Sequence, residues 1–172
     1  MKPIKDFDKI QASGDFERLP AGGYVVKITD VKDVKDKSYL LITYDIAEGK
    51  FADHFKNTDA ELVGIHQFIR SYKASALGMF KAFINAIEAS NEGYVWKWDE
   101  ASLVGEVVGI VLGEEEYENN RGEVKTGLKV RSCRSADSIR CGDYKVPDIK
   151  RMEKPAAIPE GFTALSDSDL PF

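Results

Sequence analysis

The chain has 172 residues, 43% of them hydrophobic, and its 24 basic and 29 acidic side chains leave a net charge of −5. That length supports one packed domain with a tail and is short for two. No apolar run approaches the roughly 20 residues of a membrane helix, and the charged start from Met1 to Asp8 is unlike a signal peptide. Cys133 and Cys141 lack the number and spacing of a disulfide or zinc scaffold, so the expectation is a soluble, intracellular protein with reduced thiols.

In chain order, the breakers Pro20, Ala21, Gly22 and Gly23 announce a first strand over Tyr24–Val34, in which Tyr24, Val26 and Ile28 alternate with Val25, Lys27 and Thr29. Lys35, Asp36 and Lys37 form a charged turn. Leu40, Ile42, Tyr44 and Ile46 then carry a second period-two pattern, which makes the pair an antiparallel hairpin. Phe51–Phe55 and Ile65–Tyr72 supply material for strand 3 around a polar loop. Leu77, Phe80, Phe83, Ile84 and Ile87 recur at helical spacing, with Ser75 as the N-cap and Ser90, Asn91, Glu92 and Gly93 as the stop.

Beyond the helix, Val95–Trp98 places two indoles on the same side of an extended segment, and Val104–Leu112 reads as strand 4 with Gly105 and Gly109 as bends. The acidic run Glu114, Glu115 and Glu116 follows as a solvated, edge-protecting segment. Asn119, Asn120, Arg121 and Gly122 make a hairpin turn, because Asn and Gly tolerate positive φ. Strand 5 follows with Val124, Thr126, Leu128 and Val130 facing inward and Lys125, Lys129 and Arg131 facing outward. Residues 143–150 extend irregularly over the body, and Pro155, Pro159 and Gly161 mark a loose linker.

The sequence divides into a domain over 1–154 and a flexible, disordered acidic tail over 155–172, with a reach on the order of 20 Å. The order strand, strand, strand, helix, strand, strand makes the fold mainly β. It is the order of an OB-fold, a five-stranded Greek-key barrel with one helix between strands 3 and 4; a small α+β domain of another topology fits the same string.

Net charge argues against a nucleic-acid partner until its distribution is considered. Residues 119–154 hold 10 basic and 5 acidic groups, whereas residues 1–118 hold 14 and 21. A single strand needs cations for phosphates and flat rings for bases. The candidate cations are Arg70, Lys73, Arg121, Lys125, Lys129, Arg131 and Arg134, and the candidate platforms are Tyr44, Tyr72, Trp96, Trp98 and Tyr117. The outward basic row of strand 5 has few compensating acids nearby in sequence. His54 and His66 lack a third ligand at a metal-binding spacing, and neither a phosphate loop nor a nucleophile elbow is present. Neither a cofactor nor a catalytic residue is therefore expected. A nuclease using the acidic run is disfavoured because successive glutamates on a strand alternate faces.

The final residues, Ser166, Asp167, Ser168, Asp169, Leu170, Pro171 and Phe172, set two carboxylates before an apolar end. Asp167, Asp169, Leu170, Pro171 and Phe172 resemble the acidic tip of bacterial single-stranded DNA-binding proteins, in which aspartates precede a hydrophobic residue, Pro and a terminal Phe. That resemblance implies recruitment of replication, recombination and repair proteins. Arg70, Ser71, Tyr72 and Lys73, together with Tyr117–Val130, look like bacteriophage early-region proteins encoded beside recombination functions. The expectation is a non-enzymatic bacteriophage single-stranded DNA-binding protein of the bacterial host cytoplasm. Its partners would be single-stranded DNA and, through the tip, host or phage replication and recombination proteins, with no membrane and with self-association left open. The alternative is an adaptor that binds no DNA and mimics the host protein's docking tip.

Overall fold

The computed structural model describes residues 19–56 and 65–152. The tip formed by Asp167, Asp169, Leu170, Pro171 and Phe172 lies outside them, as does most of the polar loop expected before strand 3.

Five strands form one antiparallel sheet: β1 (Gly22–Val34), β2 (Tyr39–Ile46), β3 (Gln67–Ser71), β4 (Val107–Glu118) and β5 (Val124–Arg134). Their spatial order is β3-β2-β1-β4-β5. The principal helix α1 (Leu77–Ser90) lies between β3 and β4 in the chain, and a second, short helix α2 (Ala136–Arg140) follows β5.

The length of β1 is what allows it to serve two neighbours. Gly22 to Lys27 pair with β4, and Val26 to Val34 pair with β2, with a bulge between Ile28 and Asp30. A bulge bends the strand and raises its twist, so the two halves can follow different partners. Alternation then sends Val26, Ile28, Leu40, Ile42, Tyr44, Ile46, Val108, Ile110 and Leu112 into one core. Against it α1 lays Phe80, Phe83, Ile84, Ala86 and Ile87. Phe83 is fully buried and packs edge-on to Phe68 of β3 at 5.8 Å. Truncating such a ring to Ala costs about 3–5 kcal/mol through lost contacts and the cavity left behind.

The C-terminal end of α1 is pinned by side chains. Asn91 Nδ2 donates to the carbonyls of Ile87 and Val107 at 2.8 Å each, and Asn91 Oδ1 accepts the Val107 N–H at 3.0 Å. Asn91 therefore satisfies the frayed end of α1 and the first residue of β4 together. Ser90 Oγ accepts the Ala136 N–H, tying α1 to α2.

Several expectations are corrected here. Ser75 does not cap α1: it sits inside the 3-10 turn Ala74–Ala76, and the N-cap position is Ala76, which makes no side-chain hydrogen bond. Phe51–Phe55 is not strand but turn, because the Asp45 carboxylate accepts the backbone N–H groups of Ile46, Phe55 and Lys56 and folds the segment back. The fourth strand starts at Val107, after the 3-10 turn Glu100–Leu103 capped by Asp99, and runs through the acidic triplet to Glu118. Gly109 is less a bend than a point of close approach. A Cβ there would lie 2.5 Å from Ile139 Cγ1, so its absence lets α2 close over Val25 and Val111 as a second, smaller core. Among the described residues no helix is long and apolar enough to cross a membrane.

Candidate nucleic-acid interface

The twelve residues expected to touch a strand separate into three groups once folded. One group is internal. Tyr44 is 1% exposed, and its hydroxyl donates to the Ile65 carbonyl at 2.6 Å. Burial pushes its phenol well above the ordinary range. Arg70 is 6% exposed: its guanidinium lies 4.6 Å over the Phe68 ring and donates to Cys133 Sγ at 2.9 Å and to the Ile69 carbonyl at 3.0 Å. Tyr44 is thus a core ring and Arg70 a bridge from edge strand β3 to edge strand β5, and both are withdrawn as DNA contacts. The period-two pattern that buries β2 also buries Tyr44, and Arg70 alternates with exposed Ile69.

A second group is an aromatic chain running from the core to the surface. Tyr72 meets Phe80 at 6.2 Å, Phe80 meets Trp96 at 6.5 Å, and Trp96 meets Trp98 at 6.3 Å. Tyr72 is anchored through its hydroxyl, which donates to Asp33 Oδ1 at 2.9 Å; that bond raises its pKa. Trp96 is partly buried, with its Nε1–H shut away from any acceptor among the described residues. The two indoles are in contact, as a shared side requires, yet only Trp98 offers its face: it is 82% exposed. Its φ of 63° is a left-handed conformation that a bulky side chain rarely adopts. Lys73 and Lys97 are exposed nearby in sequence. Trp96 therefore backs Trp98, and Tyr72 packs on Phe80 one ring further in.

The third group lies on the β4–β5 arm, most of it beyond Leu112, where β4 no longer pairs with β1, with Arg134 set back beside Gly109, where the pairing still holds. Asn119 builds its turn: Oδ1 accepts the N–H groups of Arg121 and Glu123, and Gly122 adopts φ 76°. Register places Tyr117 opposite Lys125, Glu115 opposite Gly127, Gly113 opposite Lys129 and Gly109 opposite Arg134. Directly opposed residues share a face, so Lys125, Lys129 and Arg134 stand on the side of Tyr117 and Glu115. The register shift between Val111 and Leu112 leaves Arg131 as an extra residue on β5. Its guanidinium still reaches that face, and the bulge turns Cys133 toward the core and Arg134 outward.

Tyr117 is 45% exposed and its ring leans across Gly127, where a Cβ would come to 3.0 Å of Cε1. The glycine in the basic row makes room for that ring. Arg121 is exposed at the turn.

The expectation of few compensating acids is corrected by the same register. Glu115, only 17% exposed, receives Lys129 Nζ at 3.2 Å, Arg131 Nη1 at 3.5 Å and Lys150 Nζ at 3.0 Å. Lys125 meets Glu123 at 3.5 Å. Hydrogen bonds from Lys150, then Lys129, hold the Glu115 carboxyl below its ordinary pKa. The acidic run is therefore no solvated fringe. Its central carboxylate gathers cations, while Glu114 and Glu116 bond the backbone of the 143–152 segment: the Lys150 N–H donates to the Glu114 carbonyl at 3.0 Å and the Glu116 N–H to the Lys150 carbonyl at 2.9 Å.

Sequence reasoning missed Lys150 and Glu115. Alternation along Gly113, Glu115 and Tyr117 was available to place Glu115 beside the basic row; nothing local marks Lys150, which arrives from 35 residues away. Among the described residues no three His, Cys, Asp or Glu side chains are grouped to hold a metal.

In sequence comparison no protein-family model matches this chain, and none of the curated proteins does.

Proposed function

We propose that the protein binds single-stranded DNA without sequence preference and without catalysis, through the outer face of the β4–β5 arm. The observation that carries this reading is Tyr117, a half-exposed ring with Lys125, Lys129, Arg131, Arg134 and Lys150 ranged along one face. A stacked base gains roughly 1–3 kcal/mol, and each phosphate contacted releases condensed counterions, so the two residue types supply the two halves of strand affinity. Trp98 is a second platform with its face open to solvent.

The strand order supports an OB-like reading of the fold. It contains β4-β1-β2-β3, a Greek-key order, with β5 added beside β4. Its edges, β3 and β5, are linked by Arg70 and Cys133 rather than by a backbone ladder among the described pairs, as in a partly open five-stranded barrel. Such barrels present the loop between strands 4 and 5 to oligonucleotides, and that loop here carries Arg121. In this reading the tip Asp167–Phe172 brings replication and recombination proteins of phage or host to the covered strand.

The test is a titration of intrinsic fluorescence with oligo-dT at low and moderate salt, because Trp98 is open to quenching and Trp96 is shielded. Saturable quenching with a negative log–log salt slope of roughly 0.7 per phosphate contacted is expected. No quenching and no gel retardation at low salt would remove the reading and favour an adaptor acting through the tip.

A further inference from the structure

Three cations from two distant stretches of chain converge on a single carboxylate. Lys129 and Arg131 approach Glu115 Oε2 from β5, and Lys150 approaches Oε1 from the segment crossing the free edge of β4. That segment is placed firmly: its backbone brackets Glu114 and Glu116, and the Met152 N–H donates to Glu116 Oε2 at 3.1 Å. Three positive groups around one negative group leave the cluster two charges in surplus. The carboxylate occupies the position where an oxygen of a phosphodiester would meet the same donors.

We propose that Lys129, Arg131 and Lys150 form a phosphate cradle that Glu115 occupies in the free protein, and that a phosphate of the bound strand displaces the Glu115 carboxylate. This rests on the strand-binding reading and adds to it the convergence of three of its cations on one phosphate and an internal competitor for that phosphate, Glu115. The cluster is exposed enough for exchange: Lys129 and Lys150 side chains are 63% and 59% exposed, whereas the carboxylate between them is sheltered. Glu115 keeps the cations gathered while the strand is absent and sets a threshold of affinity for its arrival.

The comparison is between wild type, Glu115→Gln, Glu123→Gln and Lys150→Met, titrated with oligo-dT over a range of salt. Glu123 is the control because its removal changes net charge equally, yet Lys125 is the one cation it meets among the described residues, with both side chains more than half exposed, and its Oε2 otherwise accepts from Asn119 Nδ2 at 2.8 Å, a bond that a glutamine oxygen can still accept. Glu115→Gln is expected to bind roughly tenfold tighter near 0.1 M salt and Glu123→Gln no more than about twofold, while Lys150→Met loses roughly 0.7 of the log–log slope. Equal gains in the two glutamine variants reduce the effect to net charge and overturn the cradle. So does an unchanged slope in Lys150→Met, whose exposed side chain can be replaced without disturbing the core. If neither wild type nor Glu115→Gln binds at low salt, the strand-binding reading itself falls, and the cradle with it.

Discussion

The seam between β3 and β5 and the outer face of the β4–β5 arm are built from the same kinds of residue, yet they do opposite things. At the seam a guanidinium, Arg70, lies over Phe68 and Phe83 at 4.6 and 5.8 Å and spends its donors on Cys133 and a carbonyl. On the arm Tyr117 and a row of cations face water, and the cations meet carboxylates. Cation and ring together are therefore no signature of nucleic-acid binding. What decides is which face of the sheet they occupy, and that is set by register: alternation takes Tyr44 and Arg70 inward, and the Arg131 bulge lets Lys129, Arg131 and Arg134 share the outer face.

The largest effect that separates the regions is on folding. Arg70→Ala removes a buried side chain from between two rings and leaves Cys133 without its donor. It is expected to lower stability by about 3 kcal/mol in urea unfolding, on the scale of other large-to-small core changes. Oligo-dT affinity per folded molecule should be unchanged. A variant that keeps its stability and loses binding would place Arg70 at the strand and collapse the distinction.

Tyr117→Ala is the mirror-image experiment. The ring is half-exposed and leans across Gly127 outside the two cores, so unfolding should shift by no more than about 0.5 kcal/mol, as for surface substitutions generally. Strand affinity should fall by roughly 1–3 kcal/mol, the cost of one lost stack. Stability falling while affinity holds would make Tyr117 a packing residue.

Trp98 sharpens the comparison within one pair of neighbours. Trp96 is wedged against Phe80 and its backbone N–H donates to Glu88 Oε1 at 2.9 Å, whereas Trp98 holds an exposed indole at positive φ. A backbone in that region costs a non-glycine residue on the order of 1–2 kcal/mol, which glycine avoids. Trp98→Gly should therefore leave thermal stability equal or higher, even though it removes a large side chain, and should weaken binding if the indole stacks. A clear loss of stability would show that Trp98 packs and that its exposure is incidental.

Much of this fold was legible in the chain because alternation is a local signal. The strands near Tyr24–Val34, Leu40–Ile46 and Val124 onward, the helix from Leu77 and the Asn119–Gly122 turn fall where their patterns put them. What was not legible depends on residues far apart in sequence. Arg70 looks like a surface cation until the edge strand β3 sets its parity, and the acidic triplet looks solvated until β5 and Lys150 arrive beside it. The α2 helix is five residues long, too short for a periodic signal, and depends on Ser135 capping the Ser138 N–H and on Gly109 giving it room. Of the site, the basic row was visible in the sequence, whereas its neutralisation by Glu115 required the register.

The smallest effect concerns how the arm holds the 143–152 segment, and it is a matter of pH. Lys150 and Lys129 depress the folded-state pKa of Glu115, so the folded protein binds that proton less readily than the unfolded chain. The stabilisation is thus fully present above the ordinary glutamate pKa and is lost as pH falls through the depressed folded value. The effect is confined to the acid side of the usual carboxylate range, and screening at this surface keeps it modest. The amide of Lys150, bonded to the Glu114 carbonyl, is the reporter. Its hydrogen-exchange protection in wild type should be level from neutral pH down to that range and then decline. In Glu115→Gln it should begin lower and decline less as pH falls. Identical profiles in the two proteins would mean that the backbone bonds to Glu114 and Glu116 hold the segment alone. The carboxylate would then be free to leave its cations at no structural cost, and the contrast between a rigid seam and an exchangeable outer face would be at its sharpest.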